Sequence, residues 1–323
     1  MQLLDRTQIA EALDLDTALT DVEKSFRLYS ARRVTAPPVT YLRFSEPPGD
    51  CHIKVAHLHG EPIFAIKVAN GFYDNPSKGL PSSNGLIVVL SAETGTPLAL
   101  LQDEGLITDV RTGLAGVVAT ALARPDGFGT VGIIGTGIQA RLQLEYLHTL
   151  KGPVQARVWG RSAPAVEKYL DDMRAKGITI ESCDSVRELC AECDTLITTT
   201  PSTEALVESS WVRAGSHITA IGADAEGKQE LDTQLFTRAT GILVDSREQC
   251  VDHAEAHYAV QAGIVKPEAL VEIGEALEGT AWRNNPAGDI TIADLSGLGA
   301  SDAILAQAIL SAVNKQGPDI SKT

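Results

Sequence analysis

The sequence predicts an α/β chain: a Rossmann-type, doubly wound parallel sheet plus a smaller α+β unit. Three observations carry this expectation. Residues 131–140, Val-Gly-Ile-Ile-Gly-Thr-Gly-Ile-Gln-Ala, read as a buried strand entering a glycine turn that opens a helix. From there to residue 293, short apolar runs alternate with helical patterns, the rhythm of parallel strands with crossover helices. Before residue 100, one helix is followed by runs of period two, as in an antiparallel sheet.

In chain order, Leu15, Ala18, Leu19, Val22, Phe26 and Tyr29 share one face of a helix that ends near residues 31–33, ahead of Pro37-Pro38. Val39, Tyr41 and Arg43 share one face of a strand, residues 46–50 form a Pro/Gly turn, and residues 52–56 and 63–69 form two more strands. A loop rich in Asn, Pro, Ser and Gly fills residues 70–84, and residues 85–90 and 97–101 pair across Glu93-Thr94-Gly95-Thr96. Residues 112–123 form a helix of small residues, stopped by Arg124-Pro125-Asp126-Gly127. Strands follow at 156–159, 195–199, 217–221, 241–244 and 291–293, with helices at 163–176 and 186–193. An amphipathic helix at 301–313 is placed to return to the first unit. The expected division is 1–118, rejoined by 300–323, against 119–299.

The central pattern, Gly135-x-Gly137-x-x-Ala140, is a dinucleotide fingerprint with alanine in its third place. Gly135 lets the chain leave its strand sharply, Gly137 lets the backbone approach a pyrophosphate, and Ala140 lets the helix pack close. The turn and helix start at Thr136, Ile138 and Gln139 offer amides and partial positive charge to phosphate. About 20 residues after such glycines an NAD site places a carboxylate on the ribose 2′-hydroxyl. Arg161 and Ser162 stand there instead. A guanidinium and a hydroxyl suit a 2′-phosphate, which favours NADP(H); NAD(H) remains the alternative if Arg161 only covers the helix surface.

The bulk numbers narrow the function. The 323 residues carry a net charge of −15, which argues against nucleic acid or an anionic membrane as partner. No uninterrupted apolar run approaches the ~18 residues of a membrane span, and no signal pattern follows Met1. The five cysteines are an odd number in an acidic chain, read as reduced thiols in a cytoplasm.

Several residues could carry chemistry. Lys67, on a strand, and Arg111, just before the small-residue helix, together suit a carboxylate pocket, although each alone is more often a surface charge. Asp224 follows the strand at 217–221, where open α/β sheets bind ligands, and is either an acid/base or a turn aspartate bonding its own backbone. Cys190 and Cys193 lie in a helix without a second pair at zinc spacing. Cys250, His253 and His257 share a helical face but lack a further ligand, so no metal is expected.

Together these stretches resemble the ornithine cyclodeaminase/μ-crystallin family. The resemblance rests on Ala65-Ile66-Lys67-Val68, Gly79-Leu80-Pro81-Ser82, Leu106-Ile107-Thr108-Asp109-Val110-Arg111-Thr112 and residues 132–140. Further carriers are Thr198-Thr199-Thr200-Pro201-Ser202, Ile221-Gly222-Ala223-Asp224, Gly227-Lys228-Gln229-Glu230-Leu231, and Asp294-Leu295-Ser296-Gly297-Leu298-Gly299 with Asp302. It implies that the first domain binds substrate and forms a homodimer, and that the second binds dinucleotide. Lys67 and Arg111 would hold a substrate carboxylate, Ser82 would offer a hydroxyl, and Asp224 would handle the substrate nitrogen, with Asp224 and Lys67 as the catalytic pair. Thr199, Thr200, Ser296 and Gly297 would join the fingerprint in holding the cofactor. One departure stands out: the family's arginine after the first-strand proline is replaced by Val39, and Arg43 or Lys54 is the candidate substitute. The implied activity is an NAD(P)H-dependent reductase of ketimines or cyclic imines, or an amino-acid dehydrogenase in reverse. Ornithine cyclodeaminase and a μ-crystallin-like NADPH-dependent binding protein are the alternatives.

Overall fold

The computed structural model describes residues 1–72, 74–279, 282 and 289–316. The chain divides into two compact units: Met1–Arg111 with the segment from Leu298 onward, and Thr112–Gly297.

In the first unit the sheet runs in the order Gln2–Asp5, Pro97–Gln102, Ser83–Ser91, Ile63–Phe72, Pro48–Leu58, Val34–Thr35, with Thr40–Ser45 also paired to Pro48–Leu58. All pairs are antiparallel except the first, which is parallel. The strand Gln2–Asp5 and the short helix Arg6–Ala12 have no counterpart in the sequence reading. Leu3 pairs with Leu100, a partner so distant in sequence that no local pattern announces it. The helix Leu15–Ser30 is capped by Asp14, which accepts from Thr17 N at 2.9 Å, and it buries Ala18, Val22 and Phe26. The turn expected over 46–50 narrows to Glu46-Pro47, because Ser45 already pairs with Pro48.

The helix Gly299–Gln316 packs on strands Pro48–Leu58 and Ile63–Phe72 and against helix Leu15–Ser30. It is not amphipathic as expected. Residues 299–306 are all buried, since sheet and helix cover it from both sides. The helix anticipated at 112–123 begins six residues earlier, spanning Leu106–Ala123. Its start is set by Asp103, which accepts from Ile107 N at 2.9 Å. Arg111 therefore lies inside this helix rather than ahead of it. Among the described residues this is the one helix long and apolar enough to cross a membrane, yet 67% of it is buried in the fold, as in a core helix.

The second unit holds an eight-stranded sheet ordered Thr179–Ser182, Gln155–Trp159, Thr130–Ile134, Thr195–Thr198, His217–Ala220, Ile290–Asp294, Ala239–Val244, Leu270–Glu272. Every pair in it is parallel. The central strands Thr195–Thr198, His217–Ala220 and Ile290–Asp294 are buried along their whole length, as helices on both faces require. Both edge strands, and a small parallel pair Thr203–Val207 with Gln229–Leu231, lie outside the sequence reading. Strand order reverses beside Thr130–Ile134, whose neighbours are Gln155–Trp159 and Thr195–Thr198. Open α/β sheets bind ligands at the carboxyl end of such a reversal.

Candidate active site

The fingerprint occupies that reversal. Strand Thr130–Ile134 ends at Gly135, whose φ of +119° is open to glycine and strained for any other residue. Its amide donates to the Trp159 carbonyl at 2.9 Å, and a Cβ there would meet Thr199 Oγ1 at 2.6 Å. Gly137 differs. Its φ of −79° suits any residue, and a Cβ would meet nothing within 4 Å. Neither backbone strain nor protein packing requires glycine at this position, and the space it leaves is where a pyrophosphate would approach. Gly137 is the N-cap of helix Ile138–Lys151, no side chain caps it, and Ile138 beside it is 47% exposed. Ala140 is fully buried. Uncapped amides, open space and an uncovered apolar side chain fit a dinucleotide.

Arg141 fastens this turn. It donates to the Thr136 carbonyl, and its Nε and Nη2 donate to Asp172 at 3.0 and 2.6 Å while its guanidinium lies over the Tyr169 ring. Arg161 and Ser162 follow strand Gln155–Trp159, both exposed, and neither makes a hydrogen bond to another described side chain. The adjoining Gly160 lies against Thr136, whose Cγ2 would be 2.7 Å from a Cβ there. Ser296 and Gly297 are held by Asp245, which accepts from Ser296 N, Ser296 Oγ and Gly297 N at 3.1, 2.8 and 2.5 Å.

In the first unit, Lys67 and Arg111 converge on one carboxylate. Lys67 Nζ lies 2.7 Å from Asp302 Oδ2, and Arg111 Nε donates to Asp302 Oδ1 at 3.1 Å. Lys67 and Asp302 are each 2% exposed and Arg111 7%. Lys54, also buried, is the direct cross-strand partner of Lys67. Like charges facing each other in this way disfavour the sheet, and buried charges need partners. Burial lowers the Lys67 ammonium to about 7, helped by the Arg111 and Lys54 charges and opposed by Asp302. Burial pushes the Asp302 carboxyl up, but Lys67 and Arg111 beside it hold it below its ordinary value. Arg111 reaches Asp302 through Nε.

Arg43 is not brought to this cluster. It shares the face of Lys54 by register but pairs with Asp50, four residues further along the strand, and is exposed. Of the two substitutes for the missing arginine, the structure gathers Lys54. Ser82 is half-buried in the loop before strand Ser83–Ser91, where its carbonyl accepts from Phe72 N at 2.8 Å. Asp224 lies beyond strand His217–Ala220 and is 2.6 Å from Lys228 Nζ.

Two features escaped the sequence reading. Asp302 was only one letter of a motif, because its partner Arg111 lies 191 residues away. Glu230 is fully buried beneath the sheet's carboxyl ends, accepting four hydrogen bonds. The expected face of Cys250, His253 and His257 does not form, because the helix breaks at Ala254 into Arg247–His253 and Glu255–Gln261. Cys250 Sγ instead reaches the Asp294 carbonyl at 3.4 Å. All five cysteines are free and buried; burial pushes Cys190 and Cys193 up to about 12.

Comparison with known proteins agrees with this architecture. A profile of the ornithine cyclodeaminase/mu-crystallin family matches residues 1–317. The chain is 37% identical over 310 residues to an uncharacterized cyclodeaminase of Sinorhizobium fredii, covering 95% of this chain and 94% of that one. An archaeal alanine dehydrogenase dimer with bound NAD superposes with a TM-score of 0.89 at 33% identity, covering 98% of this chain and 97% of that one. The Δ1-pyrroline-2-carboxylate reductase of Thermococcus litoralis, solved with NADH and L-proline, gives 0.89 at 29% identity, with 98% of both chains covered. With the fingerprint at the strand reversal, the buried Lys67–Asp302–Arg111 cluster and these matches over nearly the whole length, the chain belongs to the ornithine cyclodeaminase/mu-crystallin family.

Proposed function

We propose that the chain is an NAD(P)H-dependent reductase of small imino acids, working in reverse as an amino-acid dehydrogenase. The observation that carries this reading is the buried cationic pair Lys67 and Arg111, held on one side by Asp302 and suited to a carboxylate on the other. Relatives that act on alanine and on a pyrroline carboxylate share this need to hold a carboxylate beside a C–N bond. Arg111 supplies a planar fork and Lys67 a point charge, so a substrate acid group is fixed in orientation. Fixing the acid group fixes the adjoining Cα–N bond, and such orientation lowers a barrier by several kcal/mol, on the order of 7 or more at best. The nicotinamide supplies the hydride when bound. Asp224 balances the charge of the substrate nitrogen or exchanges its proton, and Lys67, titrating near neutrality, is able to hold or move a proton at Nζ. Ser82 is assigned a substrate contact.

For the cofactor we assign Gly135, Thr136, Gly137, Ile138, Gln139, Ala140, Thr199, Thr200, Ser296 and Gly297. Similar proteins hold NAD or NADH. The uncommitted Arg161 and Ser162 beside the fingerprint favour NADP(H) here, since a guanidinium offers a 2′-phosphate what a ribose-binding acid would deny it. We also assign a homodimer: all six residues of edge strand Thr40–Ser45 are exposed, Tyr41, Leu42 and Phe44 among them, and an uncovered edge invites pairing. Light scattering of the purified protein checks this, with a monomer as the contrary result.

Consumption of NADPH or NADH with cyclic imines, such as Δ1-pyrroline-2-carboxylate, or with 2-oxo acids plus ammonia tests the activity. Inactivity of both cofactors across that panel would remove the reading. The name of the Sinorhizobium relative favours a second one, ornithine cyclodeaminase. Proline and ammonia from ornithine with catalytic NAD+ would establish it instead.

A further inference from the structure

We propose that Glu230 is a positioning residue that sets the two segments on which the cofactor and the substrate nitrogen depend, residues 199–200 and 222–224. This rests on the proposed function, because it concerns Thr199, Thr200 and Asp224 in the roles assigned there.

Glu230 lies in the short strand Gln229–Leu231 and is 0% exposed. Its Oε1 accepts from Thr200 N at 2.6 Å and Thr200 Oγ1 at 2.7 Å. Its Oε2 accepts from Thr198 Oγ1 at 2.7 Å and Gly222 N at 2.9 Å. Each oxygen faces one backbone N–H, which only donates, and one threonine hydroxyl, so a glutamine here would aim an N–H at the Thr200 or Gly222 amide. Burial raises the Glu230 carboxyl above its ordinary value, and the four donors oppose that rise.

One side chain therefore joins the carboxyl ends of two adjacent parallel strands, Thr195–Thr198 and His217–Ala220. The approach is close enough that a Cβ on Gly222 would run into the Thr200 carbonyl and Glu230 Oε2. Glu230 is itself braced from below. Its amide donates to Glu255 Oε1 at 2.5 Å, Leu231 N donates to Glu255 Oε2 at 3.1 Å, and Ala256 N donates to Asp294 Oδ2 at 2.8 Å. Strand ends, helix start and carboxylate form one connected set, in which losing a single acceptor leaves buried amides unpaired. Asp224 stands two residues beyond Gly222, and Thr199 lies between two of the anchored residues.

The test uses the full chain with NADPH and NADH titrations and peptide-level hydrogen exchange. Glu230→Gln should weaken dinucleotide binding about tenfold or more and speed exchange at residues 199–202 and 221–225. Thr198 supplies a second pair of variants that does not depend on the first one folding. Thr198→Val keeps the volume and removes the donor, and should weaken binding about threefold. Thr198→Ser keeps the donor and removes a methyl, and should stay close to wild type. Wild-type binding and exchange in Glu230→Gln, or a serine variant worse than the valine variant, would overturn the positioning role. Wild-type protein that binds neither dinucleotide would sink the proposed function itself, and with it this role, whatever the exchange pattern.

Discussion

The two units build their sites from opposite materials. In the first, Lys67, Arg111 and Asp302 are long side chains withdrawn from water and locked by ion pairs. In the second, residues 135–140 offer backbone: a left-handed glycine, an uncapped helix start and empty space beside Gly137. The contrast shows where each site is fragile. A site of buried charge fails when a partner is deleted, because the charge left behind is unpaired. A backbone site tolerates neighbouring side-chain changes and fails when an atom is added.

The largest expected effect breaks the first half of that contrast. Asp302→Asn should cost the first unit about 3–5 kcal/mol, the range for removing one partner of a buried pair. Urea unfolding measures it, and a loss within experimental error would show that Lys67 and Arg111 do not depend on Asp302. Gly137→Val tests the second half. It should weaken NADPH and NADH binding about a hundredfold with only a small fall in Tm, since a Cβ there meets no protein atom and the cost is that of a poorer N-cap. A fall in Tm with intact binding would reverse the assignment.

A smaller effect comes from protonation. Lys67 titrates at about 7 in the fold against 10.5 in the unfolded chain. A carboxylate binds its charged form, so KM for an acid substrate should climb up to about tenfold per pH unit above that value. The unfolded chain binds the extra proton between those two values, so through Lys67 stability should rise with pH across the same window. A flat KM profile would separate Lys67 from the carboxylate. The smallest effect falls on an exposed residue. Arg161→Leu should weaken NADPH about tenfold while leaving NADH and Tm unchanged. Equal losses for both cofactors would place Arg161 away from the 2′-position.

Much of this was legible in the amino-acid order. Gly135, Gly137 and Ala140 declare themselves because a strand and a helix flank them in the adjoining residues. The βα alternation is legible for the same reason. The strand Gln2–Asp5 is not, since its pairing partner lies at residues 97–102. The start of helix Leu106–Ala123 was misjudged because Asp109 and Arg111 interrupt the apolar pattern, and the group that makes a buried arginine tolerable sits on the last helix. Cys250, His253 and His257 satisfied a helical period across a break that Asp294 imposes by accepting from Glu255 N and Ala256 N. Lys67 and Arg111 were legible as a pair through resemblance. The facing of Lys54 and Lys67 comes only from the register of strands Pro48–Leu58 and Ile63–Phe72.

Asp302 also arrives late. During synthesis Lys54, Lys67 and Arg111 leave the ribosome first, and then all of Thr112–Gly297 follows before their shared carboxylate is made. Until then Lys67 and Arg111 lack the carboxylate on which both converge. The inserted unit is free to fold ahead of the one that brackets it. A polypeptide released early, anywhere short of residue 299, would lack both the core helix and the counter-ion. Charge neutralisation in the opening half of the protein thereby waits on a residue that follows the whole of the second unit.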